Sequence, residues 1–155
     1  AREGLKLSVI GRRDRLRPSL VRAIECAERA TGGGRRLHLR LAVDYSSRDS
    51  ILAAARSAGD ATDRRRFQDC LFEAVHSSTE VPDLDLLIRT GGEKRLSDFL
   101  LWESAYAELH FSDRLWPDFR PGDLALAVHD FRSRERRFGG LPEPASAAGD
   151  PATAA

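Results

Sequence analysis

The chain has 155 residues, the size of one ordinary domain and enough to bury a core. Its 25 basic and 24 acidic side chains nearly cancel; this argues against a global positive field for nucleic acid or an anionic membrane surface, so any anion binding must be local. No apolar run approaches membrane-spanning length and the opening AREGLKLSVIG lacks the pattern of a signal peptide, so the chain reads as soluble and cytoplasmic with no transmembrane segment.

In chain order, LKLSVIG (residues 5–11) is a short apolar run closed by glycine and predicts a buried strand. Pro18 then opens a helix that sets Leu20, Ile24, Ala27 and Thr31 near one face and ends at the run Gly32-Gly33-Gly34. LHLRLAVDY (residues 37–45) alternates leucine and valine with His38, Arg40 and Ala42, a strand signature. A helix capped by Ser46 or Ser47 and stopped at Gly59 follows. The next helix carries an apolar stripe of Phe67, Cys70, Leu71, Ala74 and Val75, with Arg64, Arg65 and Arg66 on its solvent side.

DLDLLIRT (residues 83–90) predicts another short strand, SDFLLWES (residues 97–104) a short helix, and AYAELHF (residues 105–111) a final strand. After Pro121-Gly122 a last helix places Leu124, Ala127, Val128, Phe131 and Phe138 on one side. Residues 141–155, rich in Pro, Ala and Gly, have nothing to bury and are expected to form a disordered tail behind a domain spanning residues 1–140. Strands alternating with helices imply an α/β fold, a mostly parallel sheet flanked by helices, with ligands beyond the carboxyl ends of its strands.

Cys26 and Cys70 lack any metal-binding or redox spacing and read as buried or half-buried thiols in a reducing compartment; the four histidines likewise lack zinc-ligand spacing. The sequence contains no methionine, which implies that the initiator was removed before Ala1 or that the chain is cut from something longer.

The polar residues of LLIRTGGEKRLSDFLLWESAYAELHF (residues 86–111) carry the chemistry. At the carboxyl end of a strand, Gly91-Gly92 lets backbone N–H groups face an anion, and Arg89 and Arg95 supply guanidinium forks that match phosphate oxygens. Ser97 is placed to cap the next helix, whose N-terminus also favours an anion. The plainer reading of the same residues makes Ser97 a cap alone and Arg95 a surface partner of Glu93 or Asp98. Glu108, expensive to bury unpaired, reads either as a Mg2+ ligand beside a diphosphate or as the partner of an arginine such as Arg89.

DLLIRTGGEKRLSDFLLWESAYAELHF, followed by LWPDF and RERRFGG, resembles the C-terminal part of the cis-prenyltransferases, the undecaprenyl diphosphate synthase family, over residues 83–140. LSVIGRRDRL, PSLVRAIECAERAT and LHLRLAVDYSSRDSI are similar to the middle of that family, with Asp44-Tyr45-Ser46-Ser47-Arg48 where it usually has Asn-Tyr-Gly-Gly-Arg. Asp98 is a second departure, from a common asparagine. The resemblance implies a truncated undecaprenyl diphosphate synthase-like fold, in which Arg89, Arg95 and Ser97 bind the diphosphate of isopentenyl diphosphate and Glu108 places Mg2+. Arg137 and Gly139 match an Arg-x-Gly element that reaches a diphosphate across a homodimer interface.

The implied reaction condenses isopentenyl diphosphate with an allylic diphosphate. The family's N-terminal Asp-Gly-Asn-x-Arg-Trp segment, which holds the allylic diphosphate and whose aspartate binds the metal, has no counterpart in these residues, so no catalytic residue is assigned. The resemblance therefore implies a homodimer, or a heteromer with a chain supplying the N-terminal half. A noncatalytic partner subunit or a degenerate relative of a full synthase is the alternative, and a generic phosphate-binding α/β module is a third reading.

Overall fold

The computed structural model describes residues 4–60, 63–77 and 81–134. Leu5–Ile10 forms strand β1, which ends with Val9 and Ile10 buried. Pro18–Thr31 forms α1, with proline in its first turn and Gly32 as C-cap. It leads to β2, Leu37–Ala42, which pairs with β1 in parallel from Leu5↔Leu37 to Ile10↔Ala42. The other edge of β1 is covered from α1: Leu7 N–H donates to Thr31 Oγ1 at 3.0 Å and Val9 N–H to Glu28 Oε1 at 2.8 Å. Backbone groups that would otherwise invite another strand are thus satisfied by helix side chains.

Helices α2 (Ser47–Ala58) and α3 (Arg64–Ala74) are each started by a side-chain cap. Ser46 Oγ accepts the Asp49 N–H at 3.1 Å and Asp63 Oδ1 the Arg66 N–H at 2.8 Å. They bury Ala54, Cys70 and Leu71 between them, with Ile51, Ala58, Phe67 and Trp102 packed around. The apolar stripe expected on α3 is therefore the core, and Arg64, Arg65 and Arg66 are exposed as expected.

Strand β3 (Leu86–Arg89) pairs in parallel with β4 (Glu108–Phe111), from Leu86↔Glu108 to Arg89↔Phe111. A 3-10 turn at Trp116–Asp118 leads into α4, Pro121–Ser133, where Asp123 Oδ2 accepts the Arg120 N–H at 2.8 Å. On α4, Ala127 is fully buried while Leu124 stays exposed; Phe138 lies outside the described residues, as do Arg137, Gly139 and the expected tail. Among the described residues no helix is long and apolar enough to cross a membrane.

Among the described residues the strands form two parallel pairs, β1 with β2 and β3 with β4. One expectation needs correcting: residues 97–104 do not form a helix but make turns and bends, with φ of 50° at Ser97, 63° at Asp98 and 46° at Leu100. Left-handed backbone at three such positions is incompatible with a right-handed helix and persists only where outside contacts hold it. The strand read over residues 37–45 also stops earlier, at Ala42.

Between the two pairs lies a cleft of about 520 Å3, lined by His38 and Arg40 of β2, by residues 81–86, and by Leu100 and Glu103. On β2, Leu37, Leu39 and Leu41 are 59%, 40% and 45% exposed, although parallel strands are normally covered on both faces. Arg40 Nε and Glu103 Oε2 are buried without a hydrogen-bond partner among the described residues.

Burial raises the Glu103 carboxyl above its ordinary range, with Arg40 only partly opposing this and Asp83 adding to it. A raised folded-state value means that the folded chain holds this proton more tightly than the unfolded chain, so ionisation of Glu103 costs stability as pH rises through that window. Glu103→Gln is therefore expected to be more stable than the unmutated chain at neutral pH, with the gap closing as pH falls below the ordinary glutamate value. Urea midpoints measured from pH 4 to pH 8 check this, and a gap that widens toward acid contradicts it.

Candidate diphosphate site

The site is built on the loop that leaves β3. Arg89 ends the strand half-buried, and its Nη1 donates to the Arg95 carbonyl at 2.6 Å, folding residues 89–95 into a closed loop. Gly91 and Gly92 turn the chain at φ of 90° and 77°. Their amides are not aimed at an anion: Gly91 N–H donates to Arg114 O at 2.7 Å and Gly92 N–H to Ser112 O at 3.0 Å. The glycine pair thus ties the loop after β3 to the loop after β4, because two backbone carbonyls meet those donors first.

Arg95 is exposed and ion-paired with Glu93. The plainer reading of Arg95 is seen in this structure, although an exposed pair of this kind is weak enough for a diphosphate to displace. Ser97 is exposed and caps nothing, since no helix follows it. The cap is provided by its neighbour: Asp98 Oδ1 accepts the Arg48 N–H at 2.8 Å and Asp98 Oδ2 accepts the Ser46 hydroxyl at 2.7 Å, at the start of α2. The Ser46 hydrogen bond, helped by the Arg48 amide and charge, holds the Asp98 carboxyl below its usual range. This carboxylate faces the start of α2.

Glu108 is placed differently from Arg89. It opens β4 opposite Leu86, about 10 Å along the strand from the position of Arg89 at 3.3 Å per residue. Its partner is Arg134, whose Nη1 donates to Glu108 Oε2 at 2.8 Å; the same guanidinium reaches Asp130 Oδ2 at 2.7 Å. Asp130 also meets His110 Nδ1 at 3.3 Å, and its carboxyl is held down first by Arg134 and then by His110. Arginine pairing is thus the observed state of Glu108, but with Arg134 and not Arg89. Glu108 is thus held by Arg134 and set apart from the loop that carries Arg89 and Arg95.

Sequence reasoning missed Arg134, Asp130 and His110 as neighbours of Glu108. The spacing of Asp130 and Arg134 by four on a helix was a visible signal for their own pairing. Nothing in the sequence joined either to a glutamate more than twenty residues earlier. Also missed was the cleft of about 310 Å3 at the carboxyl ends of β1 and β2, where Gly11, Arg12, Asp44, Ser46, Asp49 and Arg56 meet.

The family model described as undecaprenyl diphosphate synthase matches residues 1–139. The chain belongs to the undecaprenyl diphosphate synthase family. Isoprenyl transferase 1 of Bradyrhizobium diazoefficiens is 56% identical over 140 residues, covering 90% of this chain and 56% of that protein. The isoprenyl transferase of Aquifex pyrophilus is 45% identical over 136 residues, covering 88% of this chain and 58% of that protein. The crystal structure of lavandulyl diphosphate synthase from Lavandula x intermedia, in complex with dimethylallyl diphosphate, superposes with a TM-score of 0.81 at 36% identity; the match covers 90% of this chain and 62% of that one. The α/β fold of the undecaprenyl diphosphate synthase family is therefore shared. The chain spans a little over half the length of the curated relatives it matches.

Proposed function

We propose that this chain carries the isopentenyl diphosphate half of an isoprenyl transferase site, with the allylic diphosphate half supplied by the share of the relatives' length that it does not span. The observation that carries the reading is the Arg89–Arg95 loop at the carboxyl end of β3, within a chain whose relatives are isoprenyl transferases. Arg89, Arg95 and Ser97 hold the diphosphate; Arg137 and Gly139 extend to a diphosphate across a homodimer or heteromer interface. The domain ends near residue 140, and the protein works in the cytoplasm.

In the reaction an allylic diphosphate loses its leaving group, the isopentenyl double bond attacks the electron-poor carbon, and loss of a proton leaves a new cis double bond. The arginines fix the isopentenyl diphosphate so that its double bond meets that carbon in a productive orientation. Mg2+ belongs to the completed site, and Glu108 joins it only where Arg134 gives way. The open cleft between β2 and β3, where Arg40 Nε and Glu103 Oε2 have no hydrogen-bond partner among the described residues, supports the view that further polypeptide completes the domain.

The test incubates the chain with Mg2+, radiolabelled isopentenyl diphosphate and farnesyl diphosphate, alone and with the part of the Bradyrhizobium isoprenyl transferase that this chain does not cover. Elongation only in the mixture is expected. Elongation by the chain alone would show that both halves of the site are present; none in either, with no retention of labelled isopentenyl diphosphate, contradicts the half-site.

A further inference from the structure

The loop bearing Arg95 and Ser97 takes an unfavourable backbone path, and its anchor lies on an element far away in sequence. Ser97, Asp98 and Leu100 all have positive φ without being glycine, a conformation that costs free energy at each position unless the surroundings impose it. The surroundings here are residues 45–48. Asp98 takes the Ser46 hydroxyl and the Arg48 N–H, Ser47 N–H donates to the Asp98 carbonyl at 3.1 Å, and Leu101 N–H donates to Ser47 Oγ at 3.0 Å. Ser47 is 1% exposed, and the rings of Tyr45 and Phe99 meet edge to face at 5.7 Å.

The contacts are reciprocal. A carboxylate from the loop caps α2, while a serine of α2 holds a loop amide, so neither segment can shift without breaking charge-assisted or buried hydrogen bonds. At the other end the loop is closed by Arg89 on the Arg95 carbonyl. Between these two fixed points sit the exposed Arg95 and Ser97 side chains.

We infer that Asp98 is a positioning residue: by locking onto Ser46 and the Arg48 amide it holds the loop that presents Arg95 and Ser97 to a diphosphate. This role rests on the function proposed above. Three of the positions at which the sequence departs from its family's usual pattern, Ser46, Ser47 and Asp98, are thus in direct contact. Both Asp98 carboxylate oxygens are engaged, one by the Ser46 hydroxyl and the other by the Arg48 amide.

Two readouts test this in the full chain. Hydrogen exchange of the segment covering residues 94–101 reads the clamp itself, and calorimetric titration with isopentenyl diphosphate in Mg2+ reads its consequence. Asp98→Ala is expected to speed exchange of that segment by about tenfold or more and to weaken binding by about tenfold. Asp98→Asn, which keeps a side-chain oxygen as acceptor, should stay within about threefold of the unmutated chain on both. Ser46→Ala should show a smaller loss that does not add to that of Asp98→Ala, the mark of one shared interaction.

Unchanged exchange in Asp98→Ala overturns the clamp whatever the titration shows. Faster exchange with unchanged binding overturns the positioning role, provided that the unmutated chain binds and Arg89→Ala does not. If the unmutated chain fails to bind, the half-site proposal falls, and the exchange arm still decides whether Asp98 holds the loop. Failure of Asp98→Asn to rescue, with exchange as fast as in Asp98→Ala, contradicts the assigned acceptor role.

Discussion

Arg89→Ala is expected to weaken binding of isopentenyl diphosphate by on the order of a hundredfold, about 3 kcal/mol, the worth of one or two hydrogen bonds to a charged group. Two losses combine in this variant. The fork that would pair with phosphate oxygens disappears, and so does the 2.6 Å hydrogen bond that closes the loop on the Arg95 carbonyl. Arg89→Lys restores the charge but not the fork, and an intermediate affinity is expected because an ammonium makes no planar paired contact. The chain should stay folded in both cases, since Arg89 sits at the end of β3 and Leu87, one turn of the pleat earlier, supplies the buried contact of that strand. Titration calorimetry alongside urea melts separates these effects; equal binding by Arg89→Ala and the unmutated chain would remove Arg89 from the site.

Gly11→Ala should cost at least about 3 kcal/mol of stability, because it combines backbone strain with overpacking. Gly11 has a φ of 112°, and a Cβ there would fall 2.2 Å from the carbonyl oxygen of Val43. That oxygen belongs to the backbone just after β2 and cannot swing aside as a side chain would. The Gly11 amide also donates to Val75 O at 3.2 Å, so a shift of residue 11 would loosen the junction between β1 and the end of α3. Gly33→Ala is the matching control: a Cβ there meets nothing within 4 Å, and a change within about 0.5 kcal/mol is expected. Urea unfolding of the two variants checks the contrast, and similar midpoints would contradict it.

Where the chain's elements are decided locally, the sequence read well. The leucine alternation of β2, the proline that opens α1, and the stripe that α3 buries against α2 depend on neighbours a few residues away. Residues 97–104 show the opposite case. A serine followed by Phe99, Leu100 and Trp102 imitates a capped helix, yet Asp98 and Leu101 spend their hydrogen bonds on Ser46, Ser47 and Arg48, about fifty residues earlier. Tertiary partners overrode local preference, and no periodicity in one sequence reveals them.

The candidate site divides the same way. Arg89 and Arg95 stand out in the sequence because arginines beside a glycine turn at a strand's carboxyl end have a chemical meaning of their own. The glycine amides misled, since Arg114 and Ser112 compete for them as acceptors from the far side of β4. Glu108 was rightly marked as needing a partner, but its arginine comes from the end of α4, packed beside β4. The split into two strand pairs was not legible either: each strand has the apolar run of a sheet interior, and only the pairing shows which edges meet.

The central claim is that these residues bind isopentenyl diphosphate without the rest of a synthase. Titration of the unmutated chain with isopentenyl diphosphate in Mg2+ tests it most directly. One equivalent bound per chain, displaced by inorganic pyrophosphate and lost in Arg89→Ala, is the predicted result. A chain with intact circular dichroism that takes up no isopentenyl diphosphate would contradict the account.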